Sequence, residues 1–318
     1  MTAIPVNRPV LWKYYQDAIK SFWTVDEVSV VQDAVDWHKL SPPMQHAVKH
    51  ILAFFAASDN IVNVNIMERF IGDVPIYEAT RFYNMQVAME DIHANMYAVL
   101  LETIVPERAE VERLLDAVNH FPVIADMSAY MTETIKSDRP FNERVLRMAC
   151  VEGIFFTSCF CIIYWLQSKQ LMPGLGQSNE LIARDEMLHT AFALELYTMC
   201  PQLSVSAVHS IFEEAVQIAV KFATAAIPEG IPEMNIRLMT PYIKTCANNL
   251  LAMINVEPLY GIGGAMNSGV TTGNTTGHDF HFMEKINLKQ RTNFFERRVS
   301  DYGRAQTAST VDEVDDDF

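Results

Sequence analysis

The sequence has few of the features that mark disulfide-rich, nucleic-acid-binding or exported proteins. It contains only five cysteines, and no two of them have the CxxC spacing of a zinc or redox motif. We expect them to be reduced thiols packed as small apolar side chains in a cytoplasmic protein. Acidic residues outnumber basic ones by 39 to 24, and the net charge is −15. This balance argues against binding nucleic acid or an anionic membrane through a basic face.

The chain also lacks clear signs of export or membrane insertion. The first residues, MTAIPVNRPVLW, have no charged start followed by an apolar core, so we expect no signal peptide. The apolar runs near 51–57 and 153–166 are too short, or too interrupted by polar residues, to predict a membrane span.

Strand signals are scarce, and the apolar residues, half of the chain, recur at helical spacing. The pattern predicts an all-α protein in which residues 41–256 form one helical bundle, preceded by an arm and short helix in 1–40. Six of the twelve glycines fall in 261–277, which predicts a loop there. A C-terminal helix completes the segment 257–300, and 301–318 is expected to be a disordered acidic tail. The predicted helices span 11–23, 41–70, 77–104, 107–119, 123–136, 140–169, 178–200, 203–224, 233–255 and 283–301.

Two sequence signals predict where two of the long helices begin. Ser41, followed by two prolines, is the predicted N-cap of the helix 41–70. The stretch MPGLGQSN is expected to be a turn before the helix that begins at 178.

One motif occurs twice: a carboxylate on an apolar helix, followed about thirty residues later by Glu-x-x-His. Asp59 is followed 31 residues later by Glu90, which pairs with His93; Glu152 is followed 34 residues later by Glu186, which pairs with His189. Residues three apart on a helix lie on the same face, so each Glu-x-x-His pair can hold one ion.

A single Glu-x-x-His pair is common on solvated helix faces, but these pairs lie in segments that are apolar nearly all round. Buried carboxylates without partners are costly, and cations would neutralise them. One carboxylate from each of two helices and Glu-x-x-His from each of two others is the ligand scheme of dinuclear iron or manganese bundles. The oxygen-rich set without thiolate favours such metals over structural zinc.

Several neighbouring residues have a functional and an ordinary interpretation. Tyr97, one turn after His93, is either a core tyrosine or a phenol that the metal pair oxidises. Asp185 is either a solvated acid or the acceptor that fixes an imidazole, and Trp23 is either packing or an electron relay hydrogen-bonded to such an acid. An apolar pocket around the phenol would come from Phe156, Phe160 and Ile182.

The segments FFAASDNIVNVN, MQVAMEDIHANMY, VEGIFF, LMPGLGQSNELIARDEMLHTAF and TNFFERRV, with the terminal DDDF, give the chain a family resemblance. It resembles the small, radical-generating subunit of class I ribonucleotide reductase, of the eukaryotic and viral type, over nearly its whole length. The resemblance implies a ferritin-like bundle, a homodimer, and a ribonucleoside-diphosphate reductase active only with its large subunit.

The resemblance also assigns a role to each site residue. Asp59, Glu90 and His93 would hold one metal, and Glu152, Glu186 and His189 the other, with two iron ions per chain or manganese instead. Tyr97 would carry the radical within the pocket of Phe156, Phe160 and Ile182. Trp23, Asp185 and Tyr302 would carry the oxidising equivalent, and the tail ending at Phe318 would dock on the large subunit.

Three other functions remain open at this stage. A diiron oxygenase or ligand-binding oxidase on the same bundle would need a substrate channel and no tail. An iron-storage ferritin needs only a bundle of roughly half this length, a comparison at the level of the fold. A metal-free interaction protein would leave six inward ionisable groups uncompensated.

Overall fold

The computed structural model describes residues 5–231 and 234–261, and within these ranges the regular structure is helical, with no strand. The predicted loop 261–277 beyond Gly261, the helix 283–301 and the tail 301–318 lie outside the described residues. The α-helices of four or more residues are α1 (Pro9–Lys20), α2 (Val31–Trp37), α3 (Pro42–Asn65), α4 (Tyr77–Ile104), α5 (Arg108–Leu115), α6 (Ala117–His120), α7 (Pro122–Lys136), α8 (Phe141–Ser168), α9 (Pro173–Thr198), α10 (Val205–Ala226) and α11 (Ile236–Met253).

Four long helices form the centre of the bundle. Helix α3 packs on α4 and α8, and α9 packs on α4 and α8, which closes a ring of four. Most of the side chains that they bury are apolar, and residues such as Phe54, Phe155 and Phe192 are fully buried in this core. Helices α10 and α11 cover the outer side of α8, whereas α1 packs on α4. The predicted all-α bundle is therefore confirmed.

Helix α8 is long and apolar enough to cross a membrane, but 89% of its most apolar window is buried inside the protein. Its composition follows from its central position, because a helix surrounded by other helices is apolar on every side.

Two π-helical segments occur in the described part of the chain. One, Ile66–Phe70, follows directly after α3, and the other, Val151–Phe156, lies within α8. Such segments accommodate one extra residue in a helix and are frequent at functional sites. The second segment carries Glu152, so the backbone is irregular where a predicted ligand is presented.

Three expectations about the helix boundaries are wrong. The chain between α1 and α3 contains helix α2 rather than a connection alone, and α1 ends at Lys20 instead of Trp23. Helix α9 begins at Pro173, inside the stretch expected to be a turn. The cause is tertiary: the buried carboxylate of Asp33 on α2 accepts hydrogen bonds from the backbone N–H groups of Gly174 and Leu175 at 2.8 and 2.6 Å.

Ser41 occupies the predicted N-cap position of α3 but makes no capping hydrogen bond. Two prolines at the start of this helix remove backbone donors that a cap would otherwise satisfy.

Candidate metal centre

Six ionisable side chains from the four central helices meet inside the bundle, and none of them is more than 3% exposed. They are Asp59 on α3, Glu90 and His93 on α4, Glu152 on α8, and Glu186 and His189 on α9. The six predicted ligands are thus brought together by four different helices.

The six side chains form two groups that share Glu90. Ligand atoms of Glu90, Glu152, Glu186 and His189 all lie within 4.8 Å of one another, and so do those of Asp59, Glu90 and His93. Glu90 Oε1 lies 3.0 Å from His189 Nδ1, whereas Glu90 Oε2 lies 3.2 Å from His93 Nδ1. Glu90 therefore faces both imidazoles, as a bridging ligand would, and Glu186 likewise has one oxygen near each of them.

Both imidazoles direct Nδ1 into the cluster. His189 Nδ1 lies 3.0 Å from Glu186 Oε2, and His93 Nδ1 lies 3.0 Å from Glu186 Oε1. The other nitrogen of His93, Nε2, lies 3.2 Å from Asp185 Oδ2. A carboxylate on the outer nitrogen of a ligating histidine fixes its tautomer and ring orientation.

The pKa values of these side chains show which of them the buried surroundings keep from ionising. Burial raises the pKa of Asp59 and Glu152 well above the usual range, and the neighbouring carboxylates raise it further. Burial also opposes charge on Glu186, but His189 and His93 keep its pKa below the usual value. Despite burial, contacts with carboxylates raise the pKa of His189 to about 9.

The donor set fits a pair of hard cations. Both oxygens of Asp59 and Oε2 of Glu152 are buried and have no hydrogen-bond partner. Such unpaired buried groups are rare because each costs about 1–3 kcal/mol. Four carboxylates and two imidazoles suit iron or manganese, and the cluster is consistent with a dinuclear metal site.

Tyr97 is buried next to this cluster, and the side chain that stacks on it, Phe55, is not among the predicted pocket residues. The ring of Tyr97 stacks on Phe55 with centroids 4.8 Å apart. Phe55 in turn lies 5.3 Å from each of Phe156 and Phe160, and Ile182 is fully buried in the same core. Phe55 precedes Asp59 by one helical turn, and that spacing is the signal that could have identified it.

The phenol of Tyr97 is isolated from polar partners. Its hydroxyl is buried and makes no hydrogen bond. Burial raises the pKa of Tyr97 well above the usual value, and the charges of Asp59 and Glu186 raise it further. The phenol is therefore neutral at any physiological pH.

Trp23 and Asp185 form a hydrogen-bonded chain that ends at the cluster. Trp23 lies in the loop after α1 but is only 1% exposed, and its indole Nε1 donates to Asp185 Oδ2 at 2.8 Å. The same oxygen contacts His93, and the indole and imidazole rings are nearly parallel, with centroids 6.0 Å apart. Arg184, which sequence reasoning missed, donates to Asp185 Oδ1 and to the backbone carbonyl of Ser21. Tyr302 lies outside the described residues.

Comparison with known families decides what kind of protein carries this cluster. Residues 1–267 match the family model for the ribonucleotide reductase small chain. The chain is a member of that family. A ribonucleoside-diphosphate reductase small chain from Arabidopsis thaliana is 42% identical over 309 residues, which cover 96% of this chain and 89% of the relative. The small chain from Vaccinia virus (strain Western Reserve) is 39% identical over 309 residues, covering 97% and 92%.

Solved structures show the same fold. A ribonucleotide reductase homodimer from Saccharomyces cerevisiae superimposes with a TM-score of 0.75 over 92% of this chain and 90% of that one, at 24% identity. The reductase subunit from Clostridium botulinum gives 0.74 over 89% and 88%, at 19% identity. The ferritin-like fold predicted from the sequence is confirmed. Family membership supports the reductase function and not the oxygenase, storage or interaction alternatives.

Proposed function

We propose that this small chain of ribonucleoside-diphosphate reductase generates a radical on Tyr97 and passes the oxidising equivalent to its large subunit for ribonucleotide reduction. The observation that carries the proposal is the placement of a buried, unpartnered phenol beside six converging metal-ligand side chains. Two iron ions bound by these ligands would supply the chemistry with dioxygen that removes one electron and one proton from the phenol.

The residues around Tyr97 provide what a long-lived neutral radical requires. Phe55 stacks on the ring of Tyr97, and Phe156 and Phe160 pack on Phe55, so one side of the phenol is apolar, and its oxygen has no hydrogen-bond donor within reach. Tyr97 holds its proton until it is oxidised, because burial disfavours the phenolate.

The route out of the site follows the hydrogen-bonded chain. Asp185 Oδ2 contacts both the His93 imidazole and the Trp23 indole, so a proton can move along the same contacts as the electron. We propose that Tyr302 continues the route and that residues 301–318 dock on the large subunit. A chain ending at Asp301 should retain the radical but lose turnover with the large subunit; retained turnover would contradict the role of the tail.

We also propose that the chain works as a homodimer in the cytoplasm. The proposal is supported by the similar yeast structure, which is a homodimer, and by the five cysteines, all of which are free thiols. Sedimentation of the purified chain tests the dimer.

The test of the radical is reconstitution of the metal-free chain with ferrous iron and oxygen, followed by electron paramagnetic resonance. A tyrosyl signal is expected in the wild type and should be absent in Tyr97→Phe. Tyr83→Phe is a matched control, since Tyr83 is also a buried α4 tyrosine with an unpartnered hydroxyl, and it should retain the signal. A signal that survives in Tyr97→Phe would overturn the assignment, and a wild type that binds iron without a radical would overturn the function.

A further inference from the structure

A buried amide lies against the cluster without being one of its predicted ligands. Gln86 on α4 is 3% exposed and lies one turn before Glu90. Its side-chain Nε2 donates to Glu90 Oε1 at 3.2 Å and to Glu152 Oε1 at 3.3 Å. A neutral donor therefore joins carboxylates that come from two different helices.

The two oxygens that Gln86 contacts belong to the same half of the cluster. Glu90 Oε1 is the oxygen that faces His189, whereas Glu90 Oε2 faces His93. Glu152 belongs to the group that contains His189 and not to the group that contains His93. Of the two halves, the amide therefore contacts oxygen atoms on the His189 side.

The local backbone explains why this half needs support. Glu152 lies in the π-helical segment of α8, and its other oxygen, Oε2, is buried without a partner. The hydrogen bond from Gln86 to Oε1 restricts rotation of the Glu152 side chain and leaves Oε2 free to bind a cation.

We propose that Gln86 is a positioning residue that holds Glu152 and Glu90 for the metal on the His189 side and thereby sets the affinity of that half of the site. This inference rests on the proposed metal centre, and it concerns the order and strength of metal binding rather than the radical. Loss of a hydrogen bond that orients a metal ligand typically weakens metal binding by about 10–100-fold.

The test is titration of the metal-free full chain with Mn²⁺, followed by electron paramagnetic resonance, which separates free, single and exchange-coupled ions. The wild type should bind two ions and show the coupled spectrum. Gln86→Met, which keeps the length of the side chain but removes the donor, should bind one ion with unchanged affinity and the second about 10–100-fold more weakly. At two equivalents its spectrum should contain less of the coupled signal and more of the single-ion signal than that of the wild type.

Two further variants complete the test. Gln86→Leu carries the same expectation and replaces Gln86→Met if that variant does not fold. Gln45→Met removes a donor whose partner is the carbonyl of Trp37, away from the cluster, and should behave as the wild type.

The outcomes distinguish the proposal from the function on which it rests. Two ions bound by Gln86→Met with wild-type affinity, or an equal loss at both halves, would overturn the role of Gln86 and leave the metal centre in place. A wild type that binds no Mn²⁺ and no Fe²⁺ would overturn both.

Discussion

Replacing Tyr97 with phenylalanine should make the metal-free protein more stable, although it removes the proposed radical site. The hydroxyl is buried without a hydrogen-bond partner, and the ring is held by stacking on Phe55. An unsatisfied buried polar group costs about 1–3 kcal/mol, and this cost is absent in Tyr97→Phe. The vacated space, roughly 10 Å³, costs only about 0.2 kcal/mol. The net expectation is a gain of about 1–3 kcal/mol in the free energy of unfolding.

The assay is urea unfolding of the metal-free protein at neutral pH. The midpoint should rise while the slope stays constant, because the surface exposed on unfolding hardly changes. Tyr83→Phe should show a similar gain, since the Tyr83 hydroxyl is also buried and unpartnered. The two variants would then match in stability and differ only in the radical signal.

A lower midpoint for Tyr97→Phe would refute the reasoning. It would mean that the hydroxyl is hydrogen-bonded in the folded protein, and the phenol would then not be isolated from polar groups. An increase would show that the hydroxyl of this tyrosine is retained at a cost in stability, and only the radical signal would distinguish it from Tyr83.

Three other outcomes are expected. Gly153→Ala should lower the free energy of unfolding by about 1–3 kcal/mol in calorimetry, because the added Cβ would lie 2.6 Å from Leu250 Cδ1 and the buried leucine side chain must shift. An unchanged melting temperature would show that the Leu250 side chain changes rotamer at little cost. Asp33→Ala should cost about 0.5–2 kcal/mol in urea unfolding by uncapping α9, whereas Asp33→Asn, which keeps an acceptor, should cost less. Burial lowers the pKa of His50 to about 4. Between about pH 6.5 and pH 4 the unfolded chain therefore binds a proton at His50 that the folded chain does not bind. The free energy of unfolding should therefore decrease as the pH is lowered from about 6.5 to 4, and it should decrease less steeply in His50→Leu.

Sequence reasoning predicted the central bundle well because its signals are long and regular. The helix 77–104 has the bounds of α4, and the predicted helix 140–169 differs from α8 by one residue at each end. The repeated carboxylate and Glu-x-x-His pattern also selected six side chains that the structure brings together. These features depend on local periodicity, which a single sequence contains.

The features that sequence reasoning missed depend on contacts between distant segments. The start of α9 is determined by Asp33, which lies 141 residues before Gly174. Helix α2 has only seven residues, too few for periodicity to distinguish it from a connection. Phe55 and Gln86 look like ordinary core residues until the fold shows which side chains they contact.

The π-helical segment of α8 is the part of this helix that can best absorb the loss of a residue. Removing one residue after Glu152 and within the segment would let the helix revert to regular α-helical winding. Because the π-turn accommodates one extra residue, the residues beyond it, including Phe160, would stay close to their present orientation. Removing one residue from the regular part of α8 would instead rotate everything beyond it by about 100°. Loss of a residue should therefore be tolerated better inside this segment than in the rest of the helix.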